Sequence, residues 1–177
     1  MRKSRNITYQ VALTAVLSAL SLILLYLSAI LPMGRLGMVA LAGLTPSAAV
    51  VSCGVGPGLL CYLGTGILAL FLLPDKGNAL LYLLFFGIYP LVKHTIERLN
   101  KLPLELILKL GFFNAMLTLF WFGLRNILLS AVPIGDQALW LLYGGGNVIF
   151  LLYDFGFTQV IAFYMRRVDR ILRKTKP

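Results

Sequence analysis

Between Arg35 and Asp75 the chain runs from Leu36 to Pro74 without a single charged residue. As one helix this stretch measures about 60 Å at 1.5 Å per residue, roughly twice the thickness of a bilayer's hydrocarbon core. It therefore has to fold back on itself, and Gly54-Val-Gly-Pro-Gly58 is the punctuation that lets it. The rest of the chain fits the same frame. Hydrophobic residues make up 59% and charged residues 12%, against about 25% charged in soluble domains, and the mean hydropathy is +0.88. The 177 residues read as one membrane domain, 1–177, with a short basic tail over 166–177.

Charges and helix breakers delimit six spans. The first runs from about Thr8 to Leu31 and stops at Pro32-Met-Gly-Arg35. The second covers Gly37 to Cys53, the third Gly58 to Leu73, and Asp75-Lys-Gly-Asn78 forms the next turn. The fourth, Ala79 to Val92, is short, and Pro90 is placed to kink or end it. The fifth follows Pro103 and reaches about Leu129, and the sixth covers Ala138 to Met165. The basic opening Met1-Arg-Lys-Ser-Arg5 looks like the start of a signal peptide. The apolar run behind it is too long for one, and no small-residue cleavage site follows, so it reads as a spanning helix. The fold class is thus all-α, a bundle of six transmembrane helices. No alternating pattern of a membrane β-barrel is present.

Lys and Arg set the orientation. With six spans both termini share a side, and that side carries twelve basic residues in its flanks and in the loop holding Lys93, Arg98 and Lys101. The opposite loops hold only Arg35 and Lys76. This bias places both termini in the cytoplasm. The formal charge of +10 belongs to this pattern and to the anionic leaflet it faces, not to nucleic acid.

Two basic residues remain, Lys109 and Arg125 within the fifth span, and with Asp154 in the sixth they are the costly residues. Such groups are costly in hydrocarbon and face the bundle interior or a water-filled cavity. Depth read from helical rise puts Asn114 and Asp154 at similar levels, so the pair reads as an interhelical polar tie. That tie expects an Asn at 154 to serve nearly as well as the Asp. An ion relay using Asp154 and Lys109 is the alternative. Arg125, beside Asn126 near the outer boundary, either snorkels to the interface or anchors an acidic group of a ligand with its planar fork. Trp121, Trp140 and Tyr143, with Asn147 nearby, form either an interfacial aromatic belt or one wall of a binding site. Gly144-Gly-Gly146 marks either unwound backbone or close helix packing. Tyr82, Phe85, Phe86 and Tyr89 recur at helical spacing and read as core. Cys53 and Cys61 match no metal spacing and read as packing thiols. No zinc pair, nucleotide-binding loop or nucleophile elbow is present. Neither catalytic residues nor a metal or cofactor are expected, and the chain does not read as an enzyme.

The first span carries small residues one turn apart, Ala15 and Ala19, with Ala12 extending the stripe. Such a stripe admits another helix at close range. The segment Val11-Ala-Leu-Thr-Ala-Val-Leu-Ser-Ala-Leu20 is similar to the Ala-x-x-x-Ala signature of the substrate-binding S components of energy-coupling factor (ECF) vitamin transporters. Size, six spans and basic character resemble that family over nearly the whole chain. The resemblance implies that the small face of helix one docks on a transmembrane coupling component driven by two ATPases. It also implies a small vitamin-like ligand near the outer surface, between helices four to six, beneath Met33–Leu36 and the turn at 133–137. Arg125, Asn126, Trp121, Trp140, Tyr143 and Asn147 are then the candidate ligand contacts, in a prokaryotic plasma membrane. Phe85-Phe-Gly-Ile-Tyr-Pro-Leu-Val-Lys93 looks like a family-type motif with no function attached. An ion-coupled or channel-like protein and an accessory scaffold remain the alternatives.

Overall fold

The computed structural model describes residues 7–31, 33–99, 101–123 and 139–174, with side chains of the final helix described from Trp140 to Arg166. Every regular element among them is helical. Six helices are long and apolar enough to cross a bilayer: Ile7–Ile30, Arg35–Cys53, Val55–Leu72, Lys76–Glu97, Leu102–Gly123 and Trp140–Arg166. The chain is a multi-pass α-helical membrane protein. It groups into two compact units, Met1–Val92 with Phe163–Pro177, and Lys93–Ala162.

In the first unit, α1 (Ile7–Ile30), α2 (Arg35–Ala42), α3 (Leu44–Cys53) and α4 (Val55–Leu72) pack around Leu25, Val39, Ala42, Tyr62, Ala69, Leu73 and Tyr82. The fold-back required of the uncharged stretch is made by Gly54 alone, at φ 107°, a conformation that costs other residues a Cβ clash. Pro57 does not lengthen that turn. It sits in the first turn of α4, where the missing N–H has no helical partner to lose. The two basic residues of the sparse loops have local work. Arg35 Nε donates to Leu31 O at 3.1 Å, and Lys76 Nζ donates to Leu70 O and Leu73 O at 2.7 and 2.8 Å. Each satisfies carbonyls at the end of the preceding helix, where a cation is also favoured by the helix dipole.

The fourth span corrects the expectation that it is short and ends near Val92. It starts as α5 (Lys76–Leu81) behind an Asp75 cap whose Oδ1 accepts from the Gly77 N–H at 2.9 Å. A π-helical turn follows over Tyr82–Phe86, closed by the Gly87 N–H to Tyr82 O at 2.7 Å. The chain then resumes as α6 (Tyr89–Glu97). Pro90 stands at the second residue of α6, so it opens a helical segment rather than ending one. The π-turn absorbs the register change that a proline inside a helix demands. The aromatic residues of this span are core as expected, with Tyr82, Phe85 and Tyr89 buried.

In the second unit, α7 (Leu102–Thr118) continues into a π-turn, Leu119–Gly123, and α8 (Leu139–Lys174) runs antiparallel to it. Phe113 and Phe150 stack at 4.7 Å with an interplanar angle of 11°. The triple glycine leaves α8 unbroken. Its use is close packing at one position: a Cβ on Gly146 would lie 3.2 Å from Phe113 Cζ, whereas Gly144 and Gly145 face open space.

Candidate functional site

Among the described residues, the second unit holds a network that joins four charged side chains. Lys93 and Glu97 come from α6, one turn apart, Lys109 from α7, and Asp154 from α8. Lys93 Nζ donates to Asp154 Oδ1, to Thr158 Oγ1 at 2.9 Å, and meets Glu97 Oε1 at 2.8 Å. Lys109 Nζ reaches the same Glu97 oxygen at 2.9 Å and Asp154 Oδ2 at 3.1 Å. The Thr158 hydroxyl donates in turn to the Asp154 backbone carbonyl at 2.8 Å. Two cations and two carboxylates balance, and each carboxylate bridges both lysines. The lysine side chains are 3% and 9% exposed and Asp154 16%, while Glu97 is 41% exposed. Burial of this kind is tolerated in a membrane because every charge has an opposite charge and further hydrogen bonds.

Lys93 is the member that the sequence placed elsewhere. With α6 continuing to Glu97, it lies one turn inside a span rather than in a loop, so it no longer belongs with the orientation charges. The i, i+4 spacing of Lys93 and Glu97 was the available signal. Ending the span at Val92 hid it.

The expected tie between Asn114 and Asp154 is replaced by two separate pairings. Asn114 Nδ2 donates to Leu110 O at 2.8 Å and to Asn147 Oδ1 at 3.0 Å, and Asn147 Nδ2 returns a bond to Asn114 Oδ1 at 3.2 Å. Both amide hydrogens of Asn114 are therefore committed. The reason is register. Lys109 meets Asp154, so five residues on in α7 the antiparallel partner lies near Asn147, two turns before Asp154. Asn147 is accordingly part of an interhelical pair with Asn114. Thr118 and Tyr143 extend that seam, their hydroxyls 2.8 Å apart. Asn147→Leu is expected to cost only about 0.6 kcal/mol, and at most about 1.7, the range for polar contacts between membrane helices. Unfolding free energies of the purified variant and wild type measure this, and a loss above 3 kcal/mol is incompatible with it.

Of the other candidate ligand contacts, Trp121 is buried and Trp140 is 88% exposed, so the two are not equivalent faces of one wall. Arg125, Asn126 and the turn at 133–137 lie outside the described residues. Among the described residues no group of three His, Cys, Asp or Glu side chains could hold a metal.

The small-residue stripe of α1 lies on the exposed side of the helix: Ala12, Ala15 and Ala19 are all exposed. A different face packs inward. Ser21, Leu25 and Ser28 are buried, with Thr14 and Ser18 in line at helical spacing. Ser21 Oγ donates to Ala42 O at 3.0 Å, and Ser28 Oγ accepts from Asn78 Nδ2 at 3.1 Å. Small hydroxyl residues, not the alanines, give α1 its close internal contacts. Ala15 also lines a groove of about 420 Å³ with Gln10, Val11, Ser18, Pro57 and Leu60.

No protein-family model, curated protein or solved structure matches this chain.

Proposed function

We propose that the chain is the membrane-embedded substrate-binding subunit of an ECF-type importer in a prokaryotic plasma membrane. In this reading both termini are cytoplasmic, and a small vitamin-like molecule is taken up on the outer side. A transmembrane coupling component and its ATPases supply the energy. The observation that carries the proposal is the division of labour on α1. Its Thr/Ser face makes the internal contacts, while Ala12, Ala15 and Ala19 stay exposed. Contact with lipid does not call for small residues one turn apart, whereas close approach of a second helix does.

Ala15→Trp and Ala19→Trp test this. Each is expected to fold like wild type, because the face is not used internally, and to lose most ATP-driven uptake together with the co-purifying ATPase activity. Native mass spectrometry of the gently purified wild type gives the reference complex and any bound small molecule. Full assembly and unchanged uptake in both variants overturn the docking role.

A second reading, an ion-coupled carrier, is favoured by the Lys93–Glu97–Lys109–Asp154 network, since intramembrane acid–base pairs also serve as proton relays. Uptake by wild-type proteoliposomes across pH, without ATP and without partners, separates the two readings. Only the carrier needs neither.

A further inference from the structure

Two spans of the first unit are interrupted in the same way. In each, a proline stands four residues after a carbonyl that it cannot bond: Pro46 after Ala42, and Pro90 after Phe86. The two interruptions meet. Gly43, directly after Ala42, packs so closely on the Phe86 carbonyl that a Cβ would overlap it. Both spans enter from one end of the unit, where Arg35 Nη1 and Asp75 Oδ2 lie 3.9 Å apart. Each then breaks part-way along its length, deep within the span. Interrupted helices that release carbonyls near the bilayer midplane are how membrane transporters assemble cation sites.

The Ala42 carbonyl is surrounded by hydroxyls. It accepts from Ser21 Oγ at 3.0 Å and from Thr45 Oγ1 at 2.9 Å. Ser21 Oγ lies 3.5 Å from the Tyr82 hydroxyl. Ser21, Thr45, Thr65 and Tyr82 are all at most 5% exposed. Thr65 is the informative member. Its hydroxyl lies beside Tyr82 and the Cys61 thiol but makes no hydrogen bond of good geometry, although the residue is fully buried. A buried hydroxyl left without a partner is unfavourable and needs a reason.

We infer that the Ala42 carbonyl and the hydroxyls of Ser21, Thr45, Thr65 and Tyr82 form a binding site for Na⁺. The five proposed donors are all hard oxygens, which suit a hard cation. The set contains no carboxylate, so it matches a single positive charge and not a divalent ion in a low-dielectric interior. Neighbouring oxygens 2.9–3.5 Å apart fit an ion whose ligands sit at about 2.3–2.6 Å, the range of Ca²⁺ and of the similarly sized Na⁺. The larger K⁺ spreads its ligands further. Hydroxyls can turn their lone pairs toward the ion and their protons away from it, and Thr65 then gains the partner it lacks. The site is independent of whether the importer or the carrier reading holds.

Thermal unfolding of the full-length protein in detergent, in NaCl, KCl or choline chloride at equal ionic strength, tests the site. Na⁺ is expected to raise the midpoint saturably, by about 5–10 °C at a hundredfold excess over Kd, with K⁺ and choline alike. Thr65→Val keeps the shape and removes the hydroxyl. It is expected to abolish the Na⁺ response while unfolding in choline at or above the wild-type midpoint, and Thr65→Ser is expected to retain the response. The inference is overturned by equal wild-type midpoints in all three salts, by a rise with K⁺ in place of Na⁺, or by a Na⁺ response that survives in Thr65→Val. A lower choline midpoint in Thr65→Val also overturns it, because the hydroxyl then has a structural partner such as a buried water.

Discussion

Asp154→Leu is expected to destabilise the protein by about 3–5 kcal/mol, the cost of breaking a buried charge network by removing one partner. The carboxylate bonds one lysine with each oxygen, and those lysines are almost fully buried. Without it, two ammonium groups share only Glu97, which is the most exposed member of the network. Asp154→Asn is expected to fare little better: the amide keeps the size and one acceptor, but the charge is what balances the pair. This reverses the expectation attached to an Asn114–Asp154 tie. The double variant Lys93→Met/Asp154→Leu leaves Lys109 with Glu97, one cation and one anion, and is expected to recover much of the loss, since apolar replacement of a buried ion pair is often neutral or better. Chemical unfolding of wild type, Lys93→Met, Asp154→Leu and the double variant closes a double-mutant cycle. A cost below 1 kcal/mol for Asp154→Leu, or a double variant no better than the single, removes the network from the protein's stability.

The same substitution, Gly→Ala, is expected to act with opposite sign at two positions. At Gly43 a methyl group overlaps the carbonyl oxygen of Phe86 and comes within 2.9 Å of its carbonyl carbon. Backbone cannot swing aside as a flexible side chain can, so the two interrupted spans must separate, at a cost of about 1–3 kcal/mol. At Gly64, inside α4, nothing lies within 4 Å of the new methyl. There Ala is expected to stabilise by up to about 1 kcal/mol through helix propensity. Unfolding midpoints of Gly43→Ala and Gly64→Ala measured side by side give the comparison. A Gly43→Ala protein as stable as wild type rules out the close crossing of these spans. Since Gly43 adjoins Ala42, the same variant is also expected to weaken any Na⁺ response.

Six spans were legible in the sequence because length and hydropathy are local properties. An uncharged run of 39 residues cannot cross once, and a glycine-rich turn within it has only one use. The presence of costly residues in the last two spans was legible for the same reason: a Lys or Asp amid apolar neighbours stands out whatever it touches. The identity of each partner was not. Whether Asp154 meets Asn114 or Lys109 depends on the relative register of two helices, and a shift of two turns changes every pairing without changing either sequence pattern. Lys93 was hidden by ending the fourth span at Val92, and a proline in an apolar run ends a helix in one context and opens one in another. Only the π-turn over Tyr82–Phe86 and the packing of Gly43 on Phe86 decide between them. On α1, the alanines and the hydroxyl residues are equally small. The sequence drew attention only to the alanines, and which stripe is buried depends on the neighbours. The Ala42 carbonyl and the Ser21 hydroxyl meet on the inner face, and hydrogen bonding in a medium without water then commits the helix to that rotation.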